Sequence, residues 1–145
     1  MNATHVRWND LPDSTKVPRP EGYVHPWAVD LPYATRVYDE PIGVEHLSFV
    51  INRMPPETSG QHHRHVEAEE VHTVLKGRCR MRIGDEEIDL ERYDSVRVPA
   101  HEFRSMFNPG PEECWMLVIG GPLDEFLPEN LDAFFAANDW TTAGA

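Results

Sequence analysis

Two histidines one residue apart, followed closely by a glutamate and a third histidine, are a combination that can hold a metal ion. In the stretch Gln61-His62-His63-Arg64-His65-Val66-Glu67-Ala68-Glu69-Glu70-Val71-His72 lie four of the chain's eight histidines. On a helix, His63 and His65 would stand about 200° apart around the axis and could not share one ion. On a strand the period is two, so both rings point to the same face. The run Glu70-Val71-His72-Thr73-Val74-Leu75 is rich in β-formers and ends at Gly77, so the segment reads as strand, loop, strand. His63 and His65 with Glu70 then offer two imidazoles and one carboxylate oxygen. That set leaves positions open for substrate, water or dioxygen. His72, two residues past Glu70, shares its inward face and has three open roles: fourth ligand, acid–base group, or hydrogen-bond donor to Glu70. By the same parity His62 faces outward. The competing reading is a histidine-rich surface loop that binds nothing.

The elements that must position these residues are short apolar runs punctuated by Gly, Pro and Asn. Strands are expected at 44–54, 70–75, 78–83, 86–90, 95–98, 103–107 and 114–119, and seven of them favour a sandwich or barrel over βαβ units. Gly84-Asp85 suits a two-residue hairpin, and Asn108-Pro109-Gly110-Pro111 is a loop by composition. Cys79, Met81 and Ile83 should line the interior, with Arg78, Arg80 and Arg82 outside. Residues 1–43 carry Pro12, Pro18, Pro20, Pro26, Pro32 and Pro41 and read as an extended arm lying on the barrel or on a partner subunit. After Gly120-Gly121, within 122–145, Leu127, Leu131, Phe134 and Phe135 mark one face of a C-terminal helix, with Pro128 early in it and Glu129 at its positive end. The Phe pair reads as core. One domain is expected, with its barrel at 44–121.

Composition narrows the partners. With 25 acidic against 13 basic residues the formal charge is −12, which argues against nucleic acid and against an anionic membrane surface. No stretch approaches the roughly 20 apolar residues of a spanning helix, and residues 1–17 lack an apolar signal core, so a cytoplasmic location is expected. Cys79 and Cys114 are too few and too far apart for a disulfide framework or a thiolate zinc site, and read as reduced core residues.

The spacing His63-x-His65-x4-Glu70-x6-Gly77 resembles the first motif of the cupin superfamily, which runs His-x-His, three or four residues, Glu, six residues, Gly. The second motif, Gly-x5-Pro-x-Gly-x2-His-x3-Asn, is matched in frame by Tyr93-x5-Pro99-x-His101-x2-Arg104-x3-Asn108, with both glycines and the histidine replaced. Gly60 also stands only three residues before His63. The resemblance covers roughly residues 44–119 and implies an all-β double-stranded β-helix, the jelly-roll barrel. It also implies a homodimer paired through N-terminal strands and one divalent transition metal.

In that family the second-motif histidine is usually the fourth protein ligand, and here its position holds Arg104, which cannot bind a metal. An inward Arg104 would repel each unit of the ion's charge by roughly 3 kcal/mol at ~5 Å and an effective dielectric of ~20, so an anion must answer it. It could clamp Glu70 and disarm the site, hold a substrate carboxylate bidentately, or turn outward into solvent. His101, where the family has a turn glycine, is a possible fourth ligand from another backbone position. The expected function is a metal-dependent enzyme acting on a small carboxylated or oxygenated molecule. A non-haem Fe(II) dioxygenase with His63, His65 and Glu70 as ligands and His72 and Arg104 as catalytic groups comes first. The alternatives are a lyase, isomerase or cyclase using Mn, Zn, Ni or Fe as Lewis acid, and a non-catalytic small-molecule binder.

Overall fold

Buried and exposed side chains alternate along the strands of the computed structural model, which describes residues 4–11, 34–60 and 62–138. Among these the strands are β1 (Ala34–Val37), β2 (Ser48–Met54), β3 (Glu69–Lys76), β4 (Cys79–Ile83), β5 (Glu86–Leu90), β6 (Ser95–Val98), β7 (Arg104–Phe107) and β8 (Cys114–Gly121). All pairings are antiparallel, in a five-stranded sheet of order β1-β2-β8-β3-β6 and a three-stranded sheet of order β5-β4-β7. The core between them is Met54, Val74, Cys79, Met81, Leu90, Val98, Met106, Cys114, Met116 and Val118. Cys79 and Met81 face it as their parity requires, Ile83 packs against it, and both cysteines are free thiols within it. The two sheets form the jelly-roll barrel. Among the described residues no helix is long and apolar enough to cross a membrane.

Residues 58–60 and 62–65 extend the smaller sheet. Ser59 bridges Phe107 and His63 bridges Arg104, both antiparallel, so this stretch runs alongside β7. His63 therefore sits in an isolated bridge rather than a continuous strand, and His65 lies two residues beyond it, outside any bridge.

Three expectations need correction. The strand expected from 44 begins at Ser48. Residues before it are held in turns, with Val44 N–H donating to Asp39 O at 3.3 Å and His46 O accepting from Leu123 N–H at 3.0 Å. Inside the stretch read as an arm, β1 pairs with β2, and a single helical turn, α1 (Asp39–Ile42), follows it. The prolines at 12, 18, 20, 26 and 32 lie outside the described residues. At the other end Leu127 and Pro128 are not in a regular helix. Tight 3-10 turns occupy Leu123–Phe126 and Pro128–Asn130, and α2 (Leu131–Ala137) begins only after them. Pro128 has no N–H to continue a ladder, which suits a break at that point.

The family frame is legible in the backbone. At Gly77 φ is +71°, and a Cβ there would lie 2.5 Å from the Glu113 carbonyl, so only glycine fits. Asn108 is fully buried; its amide donates to the Met54 and Glu112 carbonyls and its oxygen accepts from Gly110 N–H. Tyr93 (φ +71°) and His101 (φ +70°), which replace the second motif's glycines, both keep a left-handed conformation. That conformation costs an ordinary residue about 1–2 kcal/mol. Tyr93 is mostly solvent-exposed, so little packing offsets the cost. Urea midpoints should therefore rank Tyr93→Gly above the natural protein by up to about 1 kcal/mol and Tyr93→Val below it.

Candidate metal centre

Backbone pairing places the candidate ligands. His63 N–H donates to Arg104 O (3.0 Å) and Arg104 N–H to His63 O (2.8 Å), so the two residues are directly opposed and their side chains share the inner face. His65 follows two positions on, its carbonyl accepting from His101 N–H at 2.8 Å. After the loop 66–68 the chain enters β3, where Glu70, His72 and Val74 point inward. Glu70 pairs with Gly120 of β8, and the fit is close. A Cβ on Gly120 would lie 3.0 Å from the Phe126 ring and 3.1 Å from Glu70 Cγ.

The sequence-derived ligand set is thereby brought together. One ligand atom from each of His63, His65 and Glu70 lies within 4.8 Å of the others, with His63 half-buried and the other two buried. At metal–ligand bonds of about 2.0–2.2 Å, neighbouring donors sit roughly 3 Å apart, so a modest closure of the side chains accommodates a first-row ion. The two oxygens of Glu70 have separate partners. Oε2 faces His65 Nε2 at 3.4 Å, while Oε1 accepts from His72 Nε2 at 3.2 Å and stands 3.9 Å from Arg104 Nε. One carboxylate oxygen thus points at the candidate ion position and the other is fixed from behind.

Arg104 has no exposed surface, so it does not turn into solvent. Nor does it clamp Glu70 bidentately: its one approach is the 3.9 Å contact, and Nη2 donates to Pro99 O at 3.1 Å. Its Nε and Nη1 are buried without a hydrogen-bond partner, as is His72 Nδ1. His101 lies on an exposed turn, and its ring is not part of the ligand cluster. The left-handed turn aims its backbone N–H at His65 rather than its ring inward.

The sequence reading missed Glu125, in the 3-10 turn after β8. Its Oε2 lies 3.0 Å from His65 Nδ1 and accepts from Val66 N–H, while Oε1 accepts from the N–H groups of Glu67 and Ala68. Phe134, expected as plain core, stacks on the His65 ring at 4.9 Å and meets His63 edge-on at 6.0 Å, and Phe126 lies 4.9 Å from His65. Side chains of Leu131 and Phe135 lie outside the described residues. Beyond Phe134, the Asn138 amide pairs with both N–H and C=O of Arg64, and Arg64 Nε donates to Ala137 O. Neither Glu125 nor Asn138 carries a periodic or motif signal that ties it to its partner, His65 sixty residues earlier and Arg64 seventy-four earlier.

The charges follow from these contacts. Burial alone would raise the Glu70 pKa, but hydrogen bonds from His65 and His72 hold it well below the ordinary glutamate range. Burial disfavours the His65 imidazolium, yet Glu125 and Glu70 outweigh it and the net shift is upward. Burial likewise opposes the charge of Arg104 while Glu70, Glu125 and Glu102 support it. Burial of Glu125 is outweighed by His65 and three backbone N–H groups, which push its pKa from 4.5 down to about 2. A depressed carboxylate stabilises the fold above its unfolded pKa and loses that contribution as pH falls through its folded value. In chelator-treated protein, stability should therefore fall between pH 4.5 and about 2 by up to about 3 kcal/mol, with a shallower fall in Glu125→Gln, read from urea midpoints. Separately, Gly120→Ala should cost about 1–3 kcal/mol of stability and weaken metal binding, because the added methyl meets Glu70 and Phe126.

Comparison with known proteins agrees with this architecture. Residues 50–120 match the family model described as the cupin domain. A protein from Silicibacter pomeroyi, described as a sugar phosphate isomerase from a cupin superfamily, superposes with a TM-score of 0.65 at 15% identity, covering 81% of this chain and 74% of its own. Two provisionally named proteins follow. A sugar phosphate isomerase from Acidithiobacillus ferrooxidans has a TM-score of 0.60 at 25% identity, covering 73% of this chain and 70% of its own. An oxalate decarboxylase from Thermotoga maritima has 0.57 at 18%, covering 63% and 81%. Among curated proteins none matches this sequence. With its motif residues, its barrel and these neighbours in agreement, the chain belongs to the cupin superfamily.

Proposed function

We propose that the protein is a metal-dependent enzyme acting on a small carboxylated, oxygen-rich molecule, with His63, His65 and Glu70 as the metal ligands and Arg104 as the anchor for the substrate's carboxylate. The observation that carries the reading is the pair of buried, unpartnered donors on Arg104 beside Glu70. A guanidinium offers five N–H donors, and an unpaired buried one costs about 1–3 kcal/mol. Nε and Nη1 lie on different edges of the guanidinium, each paired with one N–H of Nη2, so the edge that Nη2 does not turn to Pro99 O can meet both oxygens of a carboxylate. When bound, Fe(II) in a two-histidine, one-carboxylate site supplies open positions for substrate and dioxygen, which makes non-haem dioxygenase chemistry the first assignment.

The remaining residues have defined tasks in this reading. Phe126 and Phe134 exclude water from His65 and limit how its ring can turn. His72 holds Glu70 in place through Nε2, and its buried Nδ1 can accept or release a proton.

A non-redox isomerase or lyase, with the metal as Lewis acid and His72 as proton carrier, is the second reading. It is favoured by the isomerase and decarboxylase names among the structural neighbours, whose stated substrates are small anions. Protein reconstituted anaerobically with Fe(II), Mn(II), Ni(II) or Zn(II) should hold near one equivalent, and His63→Ala should lose it. With a panel of small carboxylates, dioxygen uptake coupled to product supports the first assignment, whereas turnover without dioxygen supports the second. Arg104→Gln should keep its metal yet bind the carboxylate roughly thirtyfold more weakly or worse. Unchanged carboxylate affinity in that variant would remove Arg104 from the substrate site.

A further inference from the structure

We infer that Glu125 is a positioning residue that fixes the proton of His65 on Nδ1 and so leaves Nε2 free to bind the metal. Through it, the segment after the last barrel strand becomes part of the centre. The inference rests on the metal-centre reading above, and its argument is hydrogen-bond accounting. The Glu125 carboxylate accepts from three backbone N–H groups, at 2.8 Å (Val66), 2.7 Å (Glu67) and 2.8 Å (Ala68). An ionised carboxylate so bound has no hydrogen to give. The 3.0 Å contact with His65 Nδ1 is therefore a hydrogen bond only if Nδ1 carries the proton. In the opposite tautomer a nitrogen lone pair would face a carboxylate oxygen inside a buried site.

The rest of the ring's surroundings agree. Nε2 points at Glu70 Oε2, 3.4 Å away, so a proton on Nε2 bridges the two atoms in the metal-free ring and a bound ion takes that proton's place. Phe134 stacked on one face and Phe126 tilted against the ring hinder a flip that would exchange the two nitrogens. Glu125 is itself held, since Leu123 N–H, two residues before it, donates to His46 O and continues the β2–β8 pairing past Gly120. The three N–H groups it gathers belong to the loop joining the histidines to Glu70, so one side chain sets both the ring and the path between the ligands.

The test is long-range nitrogen–proton correlation of the histidine rings in uniformly labelled protein, metal-free and Zn(II)-loaded, with metal affinity by competition. The wild-type His65 ring should carry Nδ1–H when neutral and bind Zn(II) through Nε2. Glu125→Gln, whose amide can donate to Nδ1, should shift the neutral ring toward Nε2–H and weaken metal binding about 10–100-fold. Asn138→Ala loosens the same C-terminal segment without touching His65 and should leave affinity within about twofold. A metal-free wild-type ring that carries its proton on Nε2 with Nδ1 bare overturns the inference whether or not any variant folds. So does Glu125→Gln binding as tightly as wild type, or Asn138→Ala matching its loss. Absence of Zn(II) binding by wild type would instead sink the metal-centre reading, with the tautomer still deciding whether Glu125 governs His65.

Discussion

An ionised carboxylate inside a β-barrel has to be met by hydrogen bonds and positive charge, and around Glu70 that requirement organises the whole interior of the mouth. His65 and His72 reach it from either side, and Arg104 supplies a full positive charge behind it. The dependence is mutual, because a guanidinium with no exposed surface needs an anion as much as Glu70 needs cations. Every strand that matters to the site is set by this group. β3 must present Glu70 inward, β8 must give way with Gly120, and β7 must run beside the histidine segment so that Arg104 arrives on the same face.

The part of this arrangement legible in the sequence is the part written in short-range periodicity. His63 and His65 stand two residues apart, as do Glu70 and His72, so period two places each pair on one face. Arg104 could be found because the motif frame survives from Tyr93 to Asn108 even where its residues do not. Glu125 was not legible: a lone glutamate among Asp124, Glu129 and other acids carries no sign of a partner sixty positions away. The start of β2 and the presence of β1 were obscured for a different reason. Dense prolines mark edge or irregular backbone, and β1 is an edge strand between Pro32 and Pro41 whose hydrogen bonds all go to β2.

The departures from the family pattern divide into two physical kinds. At Tyr93 and His101 the residue has changed but the backbone has not, since both retain the left-handed conformation that glycine would adopt freely. At Arg104 the backbone pairing with His63 is ordinary and what changed is the chemistry delivered to the interior: a permanent cation in place of a neutral ligand. Frame and content can thus vary separately, which is how one barrel hosts many activities.

The two halves of the ligand set also belong to different layers of the barrel. His63 and His65 ride on the stretch that extends the three-stranded sheet, whereas Glu70 stands on β3 of the five-stranded one, between β8 and β6. An ion bound by all three is therefore a rivet through the sandwich, joining layers that are otherwise held at this end by side-chain packing and by the Glu125 contacts. On the proposed reading, loading the centre would tighten the seam along which the sheets part, so mechanical integrity and chemistry would share one fastening.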